Sequence, residues 1–286
     1  LFTNEFVSPS PGFSGAAAER LIGCRPLLRA RRAVLGRLPF MTLASDVADI
    51  VYCTWAVDLP RIQAAGLVPP GVELVQREGK TLFTILTYAH RHFGPAMAGP
   101  LRRLFGSPLQ SNWRFYVDRF GGASAPEPTV LFVKNVVDQA IYAIGSRVFS
   151  DALPSHLSQH FEHRSHAQGY RTVITGGRGS APDFRCEARH TTARALPPQF
   201  GSFFNSWDEA VAGICLQDAA LSHVEDCGRL AHARIDLPID PQSAQPLEVA
   251  PTAVSGAFLD GIGATGAPLC FVIPAAPFRV ISERLI

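Results

Sequence analysis

The chain of 286 residues predicts a mainly β fold of the α+β class, and three observations carry that prediction. Beyond Met41, short runs rich in β-branched and aromatic residues recur, punctuated by Gly and Pro. Helical patterns are few and short. The sequence holds no internal repeat and no linker-like stretch, which places the runs in one domain from about residue 41 to residue 286.

In order, the strand-forming runs are "DIVYCTW" (49–55), "TLFTILTYA" (81–89), "NWRFYVD" (112–118), "TVLFVKNV" (129–136), "YRTVITG" (170–176) and "DFRCEARH" (183–190). "AALSHVE" and "RLAHARIDL" follow, joined by "DCG", a sequence suited to a hairpin turn. "GGASAPEP" (121–128) is too short for a domain boundary and reads as a loop between strands. In "DLPRIQAAG", Asp58 can cap a helix that Gly66 ends. In "SWDEAVAGICL", Ser206 and Glu209 have the spacing of a capping box.

An apolar content of 47% is enough for a large core. The formal charge of +2 is unevenly distributed: six arginines and two glutamates give residues 1–40 a balance of +4, leaving −2 for the rest. A body with that balance has no nucleic-acid footprint. No apolar run reaches the roughly 18 residues that cross a bilayer. Residues 1–40 are Ser-, Ala- and Arg-rich and precede an internal Met41, so they read as a disordered or transit-type leader, or as a misannotated start, outside the fold. The six cysteines are scattered with no C-x-x-C pair, which reads as reduced, buried, inert thiols.

The phrases "VYCTWAVDLPRIQAAGLVPPGVEL", "REGKTLFTILTYAHRHFGP", "NWRFYVD", "VVDQAIYAIGSRVFSDALP" and "GSFFNSWDEAVAGICLQDAALSHVEDCGRLAHARIDLP" run in order across nearly all of 45–240. Together they resemble the acetoacetate-decarboxylase-like superfamily, in particular its uncharacterised YqjF-like bacterial branch. The resemblance implies a β-cone or closed antiparallel β-barrel with a few short helices and a small-molecule pocket inside. In the decarboxylases of that superfamily a lysine after a "G-R-E…P-K" turn forms a Schiff base with a β-keto acid, and a second lysine beside it keeps the amine neutral and nucleophilic. A glutamate on the preceding strand and an arginine near the first strand complete that site.

Those elements do not carry over. The corresponding turn is "GSRVFSDALPSH": Gly145, Arg147 and Pro154 match loosely, but Ser155 stands where the lysine would be, followed by His156. Gln110 replaces the glutamate, and "TLASDVAD" before the first strand contains no arginine. A hydroxyl cannot form an imine, and a neutral amide cannot exchange a proton as a carboxylate does. The only lysines are Lys80, in a turn, and Lys134, which alternation puts on one face with Phe132 and Val136. Lys134 reads either as a side chain snorkelling to water or, if that face lines a pocket, as a displaced nucleophile.

Alternation also groups Gln110, Asn112, Arg114 and Tyr116 on one strand face, opposite Trp113, Phe115 and Val117. The resemblance turns this polar row toward a ligand, with Arg114 binding a carboxylate; a solvent-exposed row over an aromatic core is the open alternative. Arg147 is the second candidate for a carboxylate, or else an ion-pair partner of Asp138 or Asp151. The stretch "PSHLSQHFEHRSHAQG" reads as a helix with His156, His160, His163 and His166 along one solvated face, without the H-E-x-x-H order of a metal site. His156, beside the missing lysine, is expected to titrate near neutrality and, with Ser155, is the catalytic candidate; adjacent residues point apart, so the two do not make a recognised nucleophile–base pair.

The expected function is an uncharacterised decarboxylase-like protein that binds a small organic acid or ketone without Schiff-base chemistry. Two alternatives stand: a lyase or hydrolase acting on an oxo-acid through Arg and His, and a non-enzymatic structural or partner-binding role. No cofactor and no metal is expected. The expected setting is cytoplasmic, with a small organic molecule as partner, no nucleic acid, no membrane, and room for a homo-oligomer.

Overall fold

The computed structural model describes residues 3–286. Helices α1 (Phe13–Ile22) and α2 (Arg25–Leu35) lead into β1 (Leu43–Asp58), α3 (Leu59–Ala64), β2 (Val72–Leu74), β3 (Gln76–Arg77) and β4 (Lys80–Pro95). Next come β5 (Leu109–Phe120), β6 (Ala123–Val137), α4 (Ala140–Phe149), β7 (Ser155–Leu157), β8 (His160–His166), β9 (Gly169–Thr175) and β10 (Phe184–His190). The chain finishes with α5 (Trp207–Cys215), β11 (Ala219–Val224), β12 (Arg229–Asp236), β13 (Gln245–Glu248), β14 (Val254–Ser255), α6 (Ala257–Ile262) and β15 (Leu269–Leu285). All six runs read as strands, and both strands of the expected "DCG" hairpin, are strands here.

Hydrogen bonding follows the order β1-β4-β5-β6-β11-β12-β15, and β15 pairs back onto β1 from Leu269 opposite Thr54 to Val280 opposite Leu43. The strands therefore form a ring. From β15 an arm continues through β13, β10, β9 and β8. The pairing is not wholly antiparallel as expected: β6 runs parallel to both β11 and β7. The reason is a long excursion, since the chain leaves β6, builds α4 through α5, and re-enters beside it in the same direction. The expected loop at 121–128 is tighter too, a two-glycine turn with positive φ at Gly121 and Gly122 that joins β5 directly to β6.

Strand alternation divides the core in two. One cluster holds Trp55, Phe83, Trp113, Phe115, Phe184 and Phe258 between the central strands and the arm with α3 and α6. The other holds Tyr52, Tyr88, Tyr116, Phe132, Ile214 and Phe271 on the opposite strand face, covered by α5. Ser206 caps α5 by accepting from Glu209 N at 3.1 Å, while the Glu209 carboxylate accepts from Asn205 N rather than closing the box on Ser206.

Two expectations are corrected. Residues 156–166 are not helical: His160–His166 pairs residue by residue with Gly169–Thr175, so the period is two. Phe161 and His163 share one face while His160, Glu162 and His166 turn to the other, and cross-strand pairing overrides the apolar spacing that suggested a helix. Residues 3–40, set outside the fold by their composition, carry α1 and α2 docked on α4. Phe6 and Ile22 share a cluster with Val137, Ala143 and Leu157, and Arg31 and Arg32 pair with Asp151 and Asp226.

Candidate functional site

Gln110, Asn112, Arg114 and Tyr116 lie on the α5 face of β5, and all four are buried. The solvent-exposed alternative does not occur. Instead, the row makes two hydrogen-bonded groups. In the first, His90 Nε2 lies 2.7 Å from Gln110 Oε1, and Gln110 Nε2 donates to Asn112 Oδ1 and Asn135 Oδ1, each at 2.9 Å. Asn112 Nδ2 donates to Tyr88 at 3.1 Å, and Asn135 Nδ2 to Ser155 Oγ at 2.6 Å. Burial pushes the His90 imidazole down to about 4, against the opposing bond from Gln110, so the ring is neutral near pH 7.

In the second group Arg114 Nη2 donates to Ile214 O at 2.9 Å, and Tyr116 Oη donates to the same carbonyl at 3.2 Å. The guanidinium carbon lies 5.7 Å from both the Tyr52 and the Tyr116 ring centroids. Ile214 belongs to the last turn of α5, whose free carbonyl and helix dipole offset part of the charge. No carboxylate pairs with Arg114 among the described residues. Arg114 Nε and the Tyr52 hydroxyl are both buried without a hydrogen-bond partner. A cleft of about 190 Å³, lined by Tyr116, Leu82, Thr129, Phe203, Phe204 and Gln217 among others, touches this group at Tyr116, and neither Arg114 nor Tyr52 lines it.

Ser155 and His156 follow each other on β7, fully buried, and their side chains part as expected of neighbours on a strand. Ser155 Oγ accepts from Asn135 and from Ser146 Oγ at 2.7 Å. His156 Nδ1 lies 2.7 Å from Ser180 Oγ, and its Nε2 lies 3.4 Å from Arg147 Nη2 and 3.5 Å from Asn4 Oδ1. The expectation that His156 titrates near neutrality is overturned: burial, then the charges of Arg147 and Lys134, hold it well below the ordinary histidine range. The four histidines do not share a face. His163 is buried between Thr172 and Asp49 O, whereas His160 and His166 are exposed.

Arg147 pairs with neither Asp138 nor Asp151. Its Nε donates to Ser155 O at 2.5 Å and its Nη2 to Asn4 O at 2.8 Å and Pro154 O at 3.2 Å. Lys134 does not snorkel: it is 2% exposed, and its ammonium donates to Thr3 O. Burial, with the charge of Arg147 adding to it and Glu225 opposing, lowers Lys134 to about 8. Tyr52, Tyr88, Asn135 and Ser180, none of them singled out in the sequence, complete these groups. Period-two alternation from Gln110 could have suggested Tyr52 and Tyr88 as partners across β1 and β4; nothing local marks Ser180, which tertiary contact alone brings to His156.

A family model described as DUF2071, an uncharacterized conserved protein, matches residues 45–207, more than half of the chain. The chain belongs to this family. No curated protein matches this DUF2071 protein. Solved structures do. An acetoacetate decarboxylase-like enzyme from Sphingomonas wittichii RW1 is 11% identical with a TM-score of 0.55, covering 86% of this chain and 94% of its own. An acetoacetate decarboxylase is 13% identical with a TM-score of 0.55, covering 87% and 90%. The enduracididine biosynthesis enzyme MppR complexed with pyruvate is 13% identical with a TM-score of 0.52, covering 87% and 91%. At such identities the likeness is one of fold, and the DUF2071 protein has the acetoacetate-decarboxylase-like fold.

Proposed function

We propose that this DUF2071 protein binds a small organic acid by its carboxylate on the α5 face of β5, with Arg114 as anchor, and does so without forming an imine at the family's lysine position. The observation that carries the reading is the pair of orphaned donors, Arg114 Nε and Tyr52 Oη, both buried, with the guanidinium over the Tyr52 ring and no acidic side chain among the described residues to balance it. A buried cation without a counter-charge costs several kcal/mol, and a ligand carboxylate would supply both the charge and the missing acceptors. Ser155, in place of the lysine, is engaged with Asn135 and Ser146, which leaves no amine at that position. The pyruvate complex of MppR offers a precedent within the fold for a small oxo-acid ligand.

The test is a thermal-shift screen of short carboxylates, with pyruvate first, against their neutral amides. Carboxylates should raise the melting temperature and amides should not, because only a ligand of the folded state stabilises it. Arg114→Met should weaken binding at least tenfold, about 1.4 kcal/mol. Borohydride treatment in the presence of β-keto acids should give no adduct. A shift that Arg114→Met leaves undiminished, or an adduct on Lys134, would overturn the reading.

A further inference from the structure

A second cluster of buried cationic and imidazole groups lies away from Arg114, and backbone from the N-terminal segment sits on it. Asn135 turns toward Gln110; Lys134, the residue before it, points to the other face by alternation, near enough to Arg147 and His156 for its charge to act on both, and those two lie 3.4 Å apart. The acceptors facing the two cations are consecutive main-chain carbonyls: Thr3 O takes the Lys134 ammonium and Asn4 O takes Arg147 Nη2. Asn4 Oδ1 lies at His156 Nε2. Among the described residues only Glu225, an exposed residue whose carboxylate accepts from Asn4 N at 3.0 Å, brings a negative charge near.

Neutral carbonyl oxygens are incomplete partners for two cations this far from water, since they satisfy the hydrogen bonds but not the charge. An ammonium and a planar guanidinium converging on two neighbouring oxygens is also the donor set that grips a carboxylate. Residues 3–8 are held here by modest means. Phe6 is buried with the Arg147 guanidinium 5.4 Å from its ring centroid, and Val7 N and Val7 O both meet Ser180 Oγ. Ser8 N donates to Glu19 at 2.9 Å. No strand or helix includes this segment.

We infer that Lys134, Arg147 and His156 form a second binding site, for a small carboxylate, which the segment Thr3–Ser8 occupies with its own carbonyls and vacates when the carboxylate binds. Lys134 and Arg147 hold the two carboxylate oxygens, and a neutral His156 can present Nε2–H as a third donor. The segment is a tethered competitor: its local concentration is high, so free ligand binds more weakly than the bare site would allow. This site shares no side chain with the Arg114 group and does not depend on it.

The test is calorimetric titration of the full chain with sodium acetate at constant ionic strength, with sodium phosphate in parallel. Phe6→Ala, which unseats the segment, should tighten acetate binding at least tenfold. Adding Lys134→Met or Arg147→Met to it should abolish that gain, and adding Arg114→Met should leave the gain unchanged. Hydrogen exchange on the unmutated chain provides the second measurement, valid even if Phe6→Ala fails to fold: saturating acetate should speed exchange of amides 4–8. The inference fails if Phe6→Ala binds acetate no better than the unmutated protein, if the gain survives both Lys134→Met and Arg147→Met, or if acetate leaves exchange of that segment unchanged. Phosphate binding tighter than acetate would overturn the carboxylate assignment.

Discussion

His90 sits almost wholly inside the protein on β4, its Nε2 on Gln110 and its Nδ1 without a partner. Burial depresses its folded value to about 4 from the ordinary 6.5, so the unfolded chain takes up a proton there that the folded chain refuses. The stability this represents is intact above pH 6.5 and is lost as pH falls toward 4. At roughly 1.4 kcal/mol per pH unit the loss is about 3 kcal/mol. His156 and His163 are depressed in the same direction and steepen the same window. Urea denaturation at pH 7 and pH 4.5 should therefore show a large fall in stability, and His90→Gln should recover roughly 2 kcal/mol of it; parallel pH profiles for the two proteins would refute this. Strand alternation together with the family resemblance made Gln110 and Arg114 visible as candidates, and the place of Arg147 just before the turn made it one. The sequence could not tell whether His156 would meet water or two cations, since that depends on Lys134 from β6 and Arg147 from α4.

Helix α2 is attached to the ring by charge rather than by apolar area. None of its residues is buried. Arg31 reaches both Asp151 oxygens at 3.0 and 2.6 Å, and Arg32 bridges Asp151 and Asp226, with its shortest contact to each at 2.8 and 2.6 Å. Asp226 is held below the ordinary carboxylate range, first by its bond from Arg32. Bidentate, partly desolvated pairs of this kind are stronger than exposed ones. Replacing both arginines by methionine should free α2, so that trypsin cleaves within residues 13–37 at least tenfold faster while the circular dichroism of the strands is unchanged; equal cleavage rates would show that the pairs do not tether the helix. The arginines of residues 1–40 were visible in the sequence, but their partners lie more than a hundred positions away. The β8–β9 hairpin has the same lesson: a run of histidines with apolar residues four apart suits a helix locally, and only the facing run from Gly169 makes it a strand.

At the scale of the whole molecule, β15 closes the ring, pairing with β1 and β12 and also carrying β13 of the arm. Its first five residues, Leu269–Ile273, are buried on both faces, whereas β8 is at the open end of the arm with most of its residues partly or fully exposed. Amides of β1, β4, β5 and residues 269–273 should exchange by global unfolding alone, and those of β8 by local opening at a rate at least a hundredfold faster; slow, uniform exchange across β8 and β15 would show that the arm and ring open together. The sequence by itself determined the β-rich class, the six principal strand runs, the hairpin at Asp226–Gly228 and the loss of the family's lysine, because strand period, turn chemistry and residue type are local properties. Tertiary structure alone decided the parallel return of β11, the docking of residues 3–40, and the meeting of Tyr52 with Arg114 and of Thr3 with Lys134. Each of these joins segments that no local pattern relates, and burial, the free-energy term that selects among such pairings, exists only once the whole chain has packed.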